Sequence, residues 1–250
     1  QGQFEHFERI SGDTMRQTIL INRETCYACP IRCKRVVQTA EPFPTDPKYG
    51  GPEYETIASL GSDCGIGDLA AVARGNQLCN ALGLDTIGAG STIAFAMECA
   101  QRGLLPGAEQ PAFGDAQAML GLLEAIAYRR GLGDLLAEGA YHAARRIGAA
   151  ALPYAMQVKG QDFPMHEPRY KMGMGLGYAV SVTGADHVHN IHDSMYQRAA
   201  SLDGVRSLGI LEPLPAGDLS LRKVRLLIYG TLDQAVCNHL HLCVFQPYSS

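Results

Sequence analysis

The sequence predicts a mainly α fold, and three observations carry that prediction. Between residues 68 and 148, apolar residues recur at helical spacing in four successive stretches. Each stretch opens on Asp or Ser and closes near a glycine, twice with paired arginines just before it. At 250 residues the chain can bury roughly 70% or more of its unfolded surface. That is enough for one large domain or two interleaved ones.

In chain order, Phe4, Phe7, Ile10 and Met15 among polar residues read as an opening helix. Thr18–Ile21 and Arg35–Val37 read as short extended pieces on either side of a cysteine-rich loop. Glu41 to Pro52 is rich in Pro and Gly, hence a loop, and Glu53-Tyr54-Glu55-Thr56 then opens an apolar run. Asp68 caps the first of the four helices, with Leu69, Val72, Cys79 and Leu82 on one stripe and Gly83 at its end. Ser91 is expected to cap the second, which turns Ile93, Met97, Ala100 and Leu104 one way and stops near Gly103. Asp115 caps the third, with Met119, Leu122, Leu123 and Ile126 inward and Arg129, Arg130 and Gly131 at its end. Asp134 is expected to open the fourth, which ends at Arg145, Arg146 and Gly148. Basic residues in a last turn complement the partial negative charge of that helix end.

Met156 to Met165 breaks the helical period and reads as extended. Gly173, Gly175 and Gly177 follow at alternate positions, where small residues allow a close approach by backbone or cofactor. A final helix is expected from Leu221 to about Leu240. No internal repeat and no low-complexity tract stand out.

A net charge of −4 and a pI near 6.1 give no reason to expect nucleic acid or an anionic membrane as partner. No run of about 18 apolar residues is present and no signal peptide precedes the first polar residues. Eight cysteines without secretory features point to a reducing, cytoplasmic setting. The chain begins at Gln1 rather than Met, and is expected to be a piece of something longer.

The chemistry centres on Cys26-Tyr27-Ala28-Cys29-Pro30-Ile31-Arg32-Cys33. Three cysteines at C-x2-C-P-x2-C spacing can turn their sulfurs toward one point, which suits a cubane iron–sulfur cluster held by four thiolates. A fourth ligand must come from elsewhere, and Cys243 is the first candidate, with Cys237 in reserve. Zinc is the alternative, although four-cysteine zinc sites usually join two C-x2-C pairs and this chain has one. Ordinary thiols or a disulfide are the third reading. Cys64, Cys79 and Cys99 are expected to be buried apolar thiols.

Other residues could carry reaction chemistry. Glu53 and Glu55 do not share a helix face, so at most one should point into a given pocket; either could also be a solvated helix-start acid. Asp186 to His192 carries three histidines, and His166 lies in Pro164-Met165-His166-Glu167-Pro168-Arg169, where prolines fix the loop. Asp85 could cap a helix or accept hydrogen bonds from a ligand amine, with Gly88 and Gly90 letting a flat ligand approach.

Together these pieces resemble the tungsten-dependent aldehyde:ferredoxin oxidoreductases. The matching residues run in order through nearly the whole chain. They are the cysteine motif, then Gly51-Pro52-Glu53-Tyr54-Glu55-Thr56, Leu60-Gly61-Ser62-Asp63-Cys64-Gly65-Ile66, Leu78-Cys79-Asn80, Gly83-Leu84-Asp85-Thr86-Ile87 and Ala94 to Cys99. Lys159 to Arg169, Thr183-Gly184-Ala185-Asp186-His187 and Leu242-Cys243-Val244-Phe245 complete the set. The resemblance implies two interleaved helical domains, 1–92 with 170–250 and a partial 93–169, and the absence of the family's N-terminal β-rich domain. It implies a [4Fe–4S] cluster on Cys26, Cys29, Cys33 and Cys243, beside a bis-pterin cofactor carrying tungsten or molybdenum. Asp85 and Gly88 match one pterin motif. Asn238 to Cys243, with Leu242, match the other, with Asn238 where the family has aspartate and His241 where it has a small residue.

The activity implied is oxidation of an aldehyde to a carboxylic acid, electrons passing through the cluster to ferredoxin. His187 and His166 would polarise the carbonyl and relay protons, with Glu53 or Glu55 as base. Besides ferredoxin and the aldehyde, the implied partners are the rest of the same protein and a second copy in a homodimer. A tungsten reductase of aromatic acyl thioesters is the alternative within the superfamily. From other classes come a non-catalytic iron–sulfur electron-transfer module and a zinc-stabilised helical protein.

Overall fold

A computed structural model describes residues 4–199, 202–243 and 245. The chain is mainly helical, as expected, and forms two compact units, Gln1–Met165 and His166–Ser250.

In the first unit a single 3₁₀ turn, Phe7–Ile10, leads into α1 (Gly12–Thr18), capped by the Ser11 side chain accepting from Thr14 N. The two extended pieces pair antiparallel as β1 (Leu20–Glu24) and β2 (Lys34–Val37), with Glu24 opposite Lys34 at the loop end. Ile10, Met15, Val37, Leu69 and Ala73 pack beneath them. A one-turn helix α2 (Tyr54–Ile57) runs on as a π-helical stretch, Ala58–Ser62.

Five helices follow: α3 (Leu69–Leu82), α4 (Thr86–Gln101), α5 (Ala116–Ala127), α6 (Leu132–Leu136) and α7 (Ala140–Ile147). Leu60, Val72, Ile93, Met97, Met119, Leu123 and Leu136 form their shared core. Asp68 and Asp115 cap α3 and α5 as the sequence predicts, each accepting main-chain N–H bonds. A two-residue hairpin, β3 (Gln157–Val158) and β4 (Gln161–Asp162), occupies the stretch expected to be extended.

Two helix starts differ from expectation. The second helix begins not after Ser91 but at Thr86, because Asp85 Oδ2 accepts from Gly88 N at 2.7 Å and so supplies the cap well before Ser91. The helix expected to open at Asp134 is two helices: Asp134 lies inside α6, and Gly139, at φ 87°, breaks the run before α7.

In the second unit, α8 (Met172–Val180) and α9 (Leu221–His239) enclose Ile191, Leu202, Val205, Leu226 and Leu227 with intervening 3₁₀ turns. The glycines of α8 serve packing: a Cβ at Gly177 would sit 2.1 Å from Asn190. Asp193 and Lys223 are both wholly buried and paired. Asp193 accepts from Gly173 N (3.1 Å) and Met174 N (2.9 Å) at the start of α8, and Lys223 Nζ also donates to Pro215 O at 3.1 Å. The pair thus ties α8 to α9 with its charges and main-chain partners matched. No helix among the described residues is long and apolar enough to cross a membrane.

Lys223→Met in the full-length protein leaves Asp193 buried without its cation. The expected loss is about 3–5 kcal/mol, read as a lower denaturation midpoint; an unchanged midpoint would refute the pairing's structural role.

Candidate cofactor and catalytic site

The cysteine motif is the loop of the β1–β2 hairpin. Ala28 (φ 56°) and Arg32 (φ 52°), each immediately before a cysteine, are left-handed, so the chain turns sharply ahead of Cys29 and Cys33. Cys29 N donates to Cys26 O at 3.1 Å. Thr25 Oγ1 lies 3.0 Å from Cys26 O and 2.5 Å from Cys29 O. The loop's neck is closed by Arg23 Nε to Arg32 O (3.1 Å) and Arg32 Nη2 to Arg23 O (2.6 Å), and Arg35 Nη1 donates to Cys33 O at 3.2 Å. Cys26 is exposed, and Cys29 and Cys33 are half-buried. These residues fit an iron–sulfur cluster, which takes cysteine thiolates as ligands: the loop's main chain is braced by its own bonds, and Arg23, Arg32, Lys34 and Arg35 flank the cysteines in the sequence, cations suited to the negative charge such ligands would bring.

Of the two candidates for a fourth ligand, Cys237 is buried inside α9, whereas Cys243 is exposed beyond its end. Val244, of the motif that carries Cys243, lies outside the described residues.

The ends of α3 and α9 carry a repeat that reading the chain in order does not reveal. Cys79-Asn80-Ala81-Leu82-Gly83-Leu84-Asp85 and Cys237-Asn238-His239-Leu240-His241-Leu242-Cys243 agree at four of seven positions. Their backbones agree too. Leu84 N donates to Cys79 O at 2.9 Å and Leu242 N to Cys237 O at 2.8 Å, the bond that closes a helix through a left-handed stop. That stop falls at Gly83 (φ 70°) and at His241 (φ 55°). Asn80 is therefore the counterpart of Asn238. Both are exposed; Asn80 Nδ2 donates to Asn76 O at 2.9 Å and Asn238 Nδ2 lies 2.6 Å from His189 Nε2.

Asp85 is exposed and spends one oxygen on Gly88 N. Asp162, on β4, is the residue that sequence reading missed. Its Oδ1 is buried without a hydrogen-bond partner, and a Cβ at Gly88 or Gly139 would come within 3.8 Å of its Oδ2. Burial, and then the charge of Asp85, raise its carboxyl to about 7. An orphaned acceptor beside two positions lacking side chains fits a flat ligand bearing N–H donors, as a pterin does.

Glu53 and Glu55 part company. Glu53 precedes α2 and is ion-paired with Arg35 at the surface. Glu55 is half-buried, its Oε2 accepting from Met165 N at 2.8 Å, while Tyr54 Oη donates to Met165 O at 2.8 Å. Burial, and then the neighbouring Glu55, raise Asp63 to about 6. Cys64 and Cys79 are buried as expected, their thiols pushed up by burial.

In the second unit His166, His187 and His192 cluster, with ring centroids 4.6 Å apart for His166–His192 and 5.1 Å for His166–His187. Asp186 Oδ1 holds the turn after His187 by accepting from Val188 N and His189 N.

Residues 1–250 match the family described as aldehyde ferredoxin oxidoreductase, domains 2 and 3, and the chain belongs to that family. It is 38% identical over 252 residues to the tungsten-containing aldehyde ferredoxin oxidoreductase of Thermococcus kodakarensis, spanning 99% of this chain and 39% of that protein. The Pyrococcus furiosus protein of the same name is 35% identical with the same coverage. The chain thus spans about two fifths of the length of these relatives. Among solved structures it is similar to a chain of the active site complex BamBC of benzoyl coenzyme A reductase, with a TM-score of 0.55 and 27% identity over 67% of this chain and 26% of that one.

Asp162's folded pKa lies above its ordinary value, so its contribution to stability is complete below about pH 4 and is lost as pH rises to about 7. In full-length protein stripped of cofactor, Asp162→Asn should flatten the fall in melting temperature across that window. A slope identical to that of the parent protein would show that Asp162 is not held protonated.

Proposed function

We propose that the chain is the helical part of a cytoplasmic, pterin-dependent tungsten enzyme that oxidises an aldehyde to a carboxylic acid. The observation that carries this reading is the braced three-cysteine loop in a chain of this family. Cys26, Cys29, Cys33 and Cys243 would supply four thiolates to a [4Fe–4S] cluster. Asp85 and Gly88, with Asp162, would border one pterin, and Asn238 and Leu242 the other. Asn80 joins the first set as the counterpart of Asn238. When bound, the metal–pterin group would accept two electrons from the aldehyde and the cluster would pass them singly to ferredoxin.

The chain's own residues bind, orient and move protons. His166 and His187 hydrogen-bond the carbonyl oxygen and draw charge onto it. Glu55 is the base that takes the proton of an attacking water; Glu53, held by Arg35, is not. The interleaved partition, 1–92 with 170–250 around 93–169, and a homodimer belong to the same proposal. The second reading is a reductase of aromatic acyl thioesters, favoured by the likeness to the benzoyl coenzyme A reductase chain. Oxidation of aldehydes with oxidised viologen as acceptor, without reduction of an aromatic acyl thioester by a low-potential reduced viologen as donor, would separate the two.

The first test is anaerobic metal analysis of the full-length protein. About four irons of a cubane cluster with tungsten or molybdenum support the assignment, and Cys33→Ala should lose the iron and its brown absorption. Zinc without iron would overturn it. In loaded enzyme, Glu55→Gln and His187→Ala should each lower kcat by about 10²–10⁴-fold, while Glu53→Gln, which removes only an exposed ion pair, should change it less than about threefold.

A further inference from the structure

The histidine cluster contains a cation at hydrogen-bonding distance. Lys171 Nζ lies 3.0 Å from His166 Nδ1. An ammonium offers three donors and no acceptor, so Nδ1 must be the acceptor, and the one proton of a neutral imidazole then sits on Nε2. The lysine's backbone is held in place: its N–H donates to Glu167 O at 2.9 Å, and the next residue, Met172, donates to Ala216 O at 3.0 Å. The His166 and His192 rings are nearly perpendicular, at 89°. His192 is pushed down to about 4 by burial, and then by His166, Lys171 and His187, so it adds no second charge near neutral pH.

We propose that Lys171 is a positioning residue that fixes His166 as the neutral, Nε2-protonated tautomer. His166 then serves only as a hydrogen-bond donor to the reacting carbonyl oxygen, and proton abstraction falls to other groups. The lysine charge, reached through the imidazole, strengthens that donor as the oxygen gains negative charge. This rests on the reading that places His166 at the carbonyl.

The test compares His166→Ala, Lys171→Met and Lys171→Arg in the full-length, cofactor-loaded enzyme, with iron and tungsten measured for each. Lys171→Met should lower kcat by about 10–100-fold, the effect of losing a group that orients a histidine, with KM little changed. Lys171→Arg should restore most of the rate, because a guanidinium also only donates. Residue-resolved deuterium exchange at the histidine C2 position gives a readout apart from turnover: the His192 midpoint should move to higher pH in Lys171→Met and stay low in Lys171→Arg. Unchanged kcat and exchange in Lys171→Met, alongside an impaired His166→Ala, would overturn the tautomer proposal and leave the site reading standing. Equal losses in the Met and Arg variants would also overturn it. Full turnover in His166→Ala would instead overturn the placement of His166 at the carbonyl.

Discussion

A helix or hairpin that ends leaves backbone groups without partners, and the candidate site is drawn from the places where this chain meets that constraint. Asp85 gives one oxygen to the start of α4. Asn80 and Asn238 sit in last turns closed by left-handed stops, and the three cysteines occupy a loop whose carbonyls are held by Thr25, Arg23, Arg32 and Arg35. Each terminus is fixed by main-chain bonds, so a side chain there has a defined placement without being consumed by packing. The helix interiors carry Val72, Ile93, Met97 and Met119, which are core.

Acids in this chain divide by what surrounds them. Asp193 receives a buried lysine and two main-chain N–H groups, and the result is scaffold. Asp162 and Asp63 have burial and a neighbouring acid as the main influences on their charge, so both are pushed toward the protonated form. Carboxyls raised in this way mark candidate sites for a ligand or a proton. The contrast separates holding the fold from preparing a site, within one chain and one residue type.

Much of this was legible in the sequence. Asp68 and Asp115 announce α3 and α5 because an N-cap acts locally, and the cysteine motif falls between two short extended pieces that pair as the β1–β2 hairpin. The start of α4 is ambiguous in sequence because Ser91 and Asp85 are both good caps, and only the fold shows which main-chain N–H is bonded. The break between α6 and α7 was hidden because glycine is tolerated within a helix pattern until its φ is known. Asp162 and Lys171 were invisible for a different reason. Their significance lies in what surrounds them, an orphaned oxygen and an imidazole nitrogen, and neither leaves a trace in local pattern.

The repeated helix ends bear on how firmly a pterin would be held under the proposed reading. A carboxylate matches two parallel N–H donors, whereas an amide accepts only one of them well. Both copies carry asparagine, at a cost on the order of 1–3 kcal/mol each relative to a carboxylate. The first copy runs straight into Asp85, and Asp162 lies close to Gly88 and Gly139, so carboxyl oxygens are at hand to make up the loss. In the second copy Asn238's amide nitrogen is engaged with His189, and His241 puts an imidazole where Gly83 has only hydrogen. One repeated backbone device thus yields two unequal seats, and the weaker is the one that leads into Cys243.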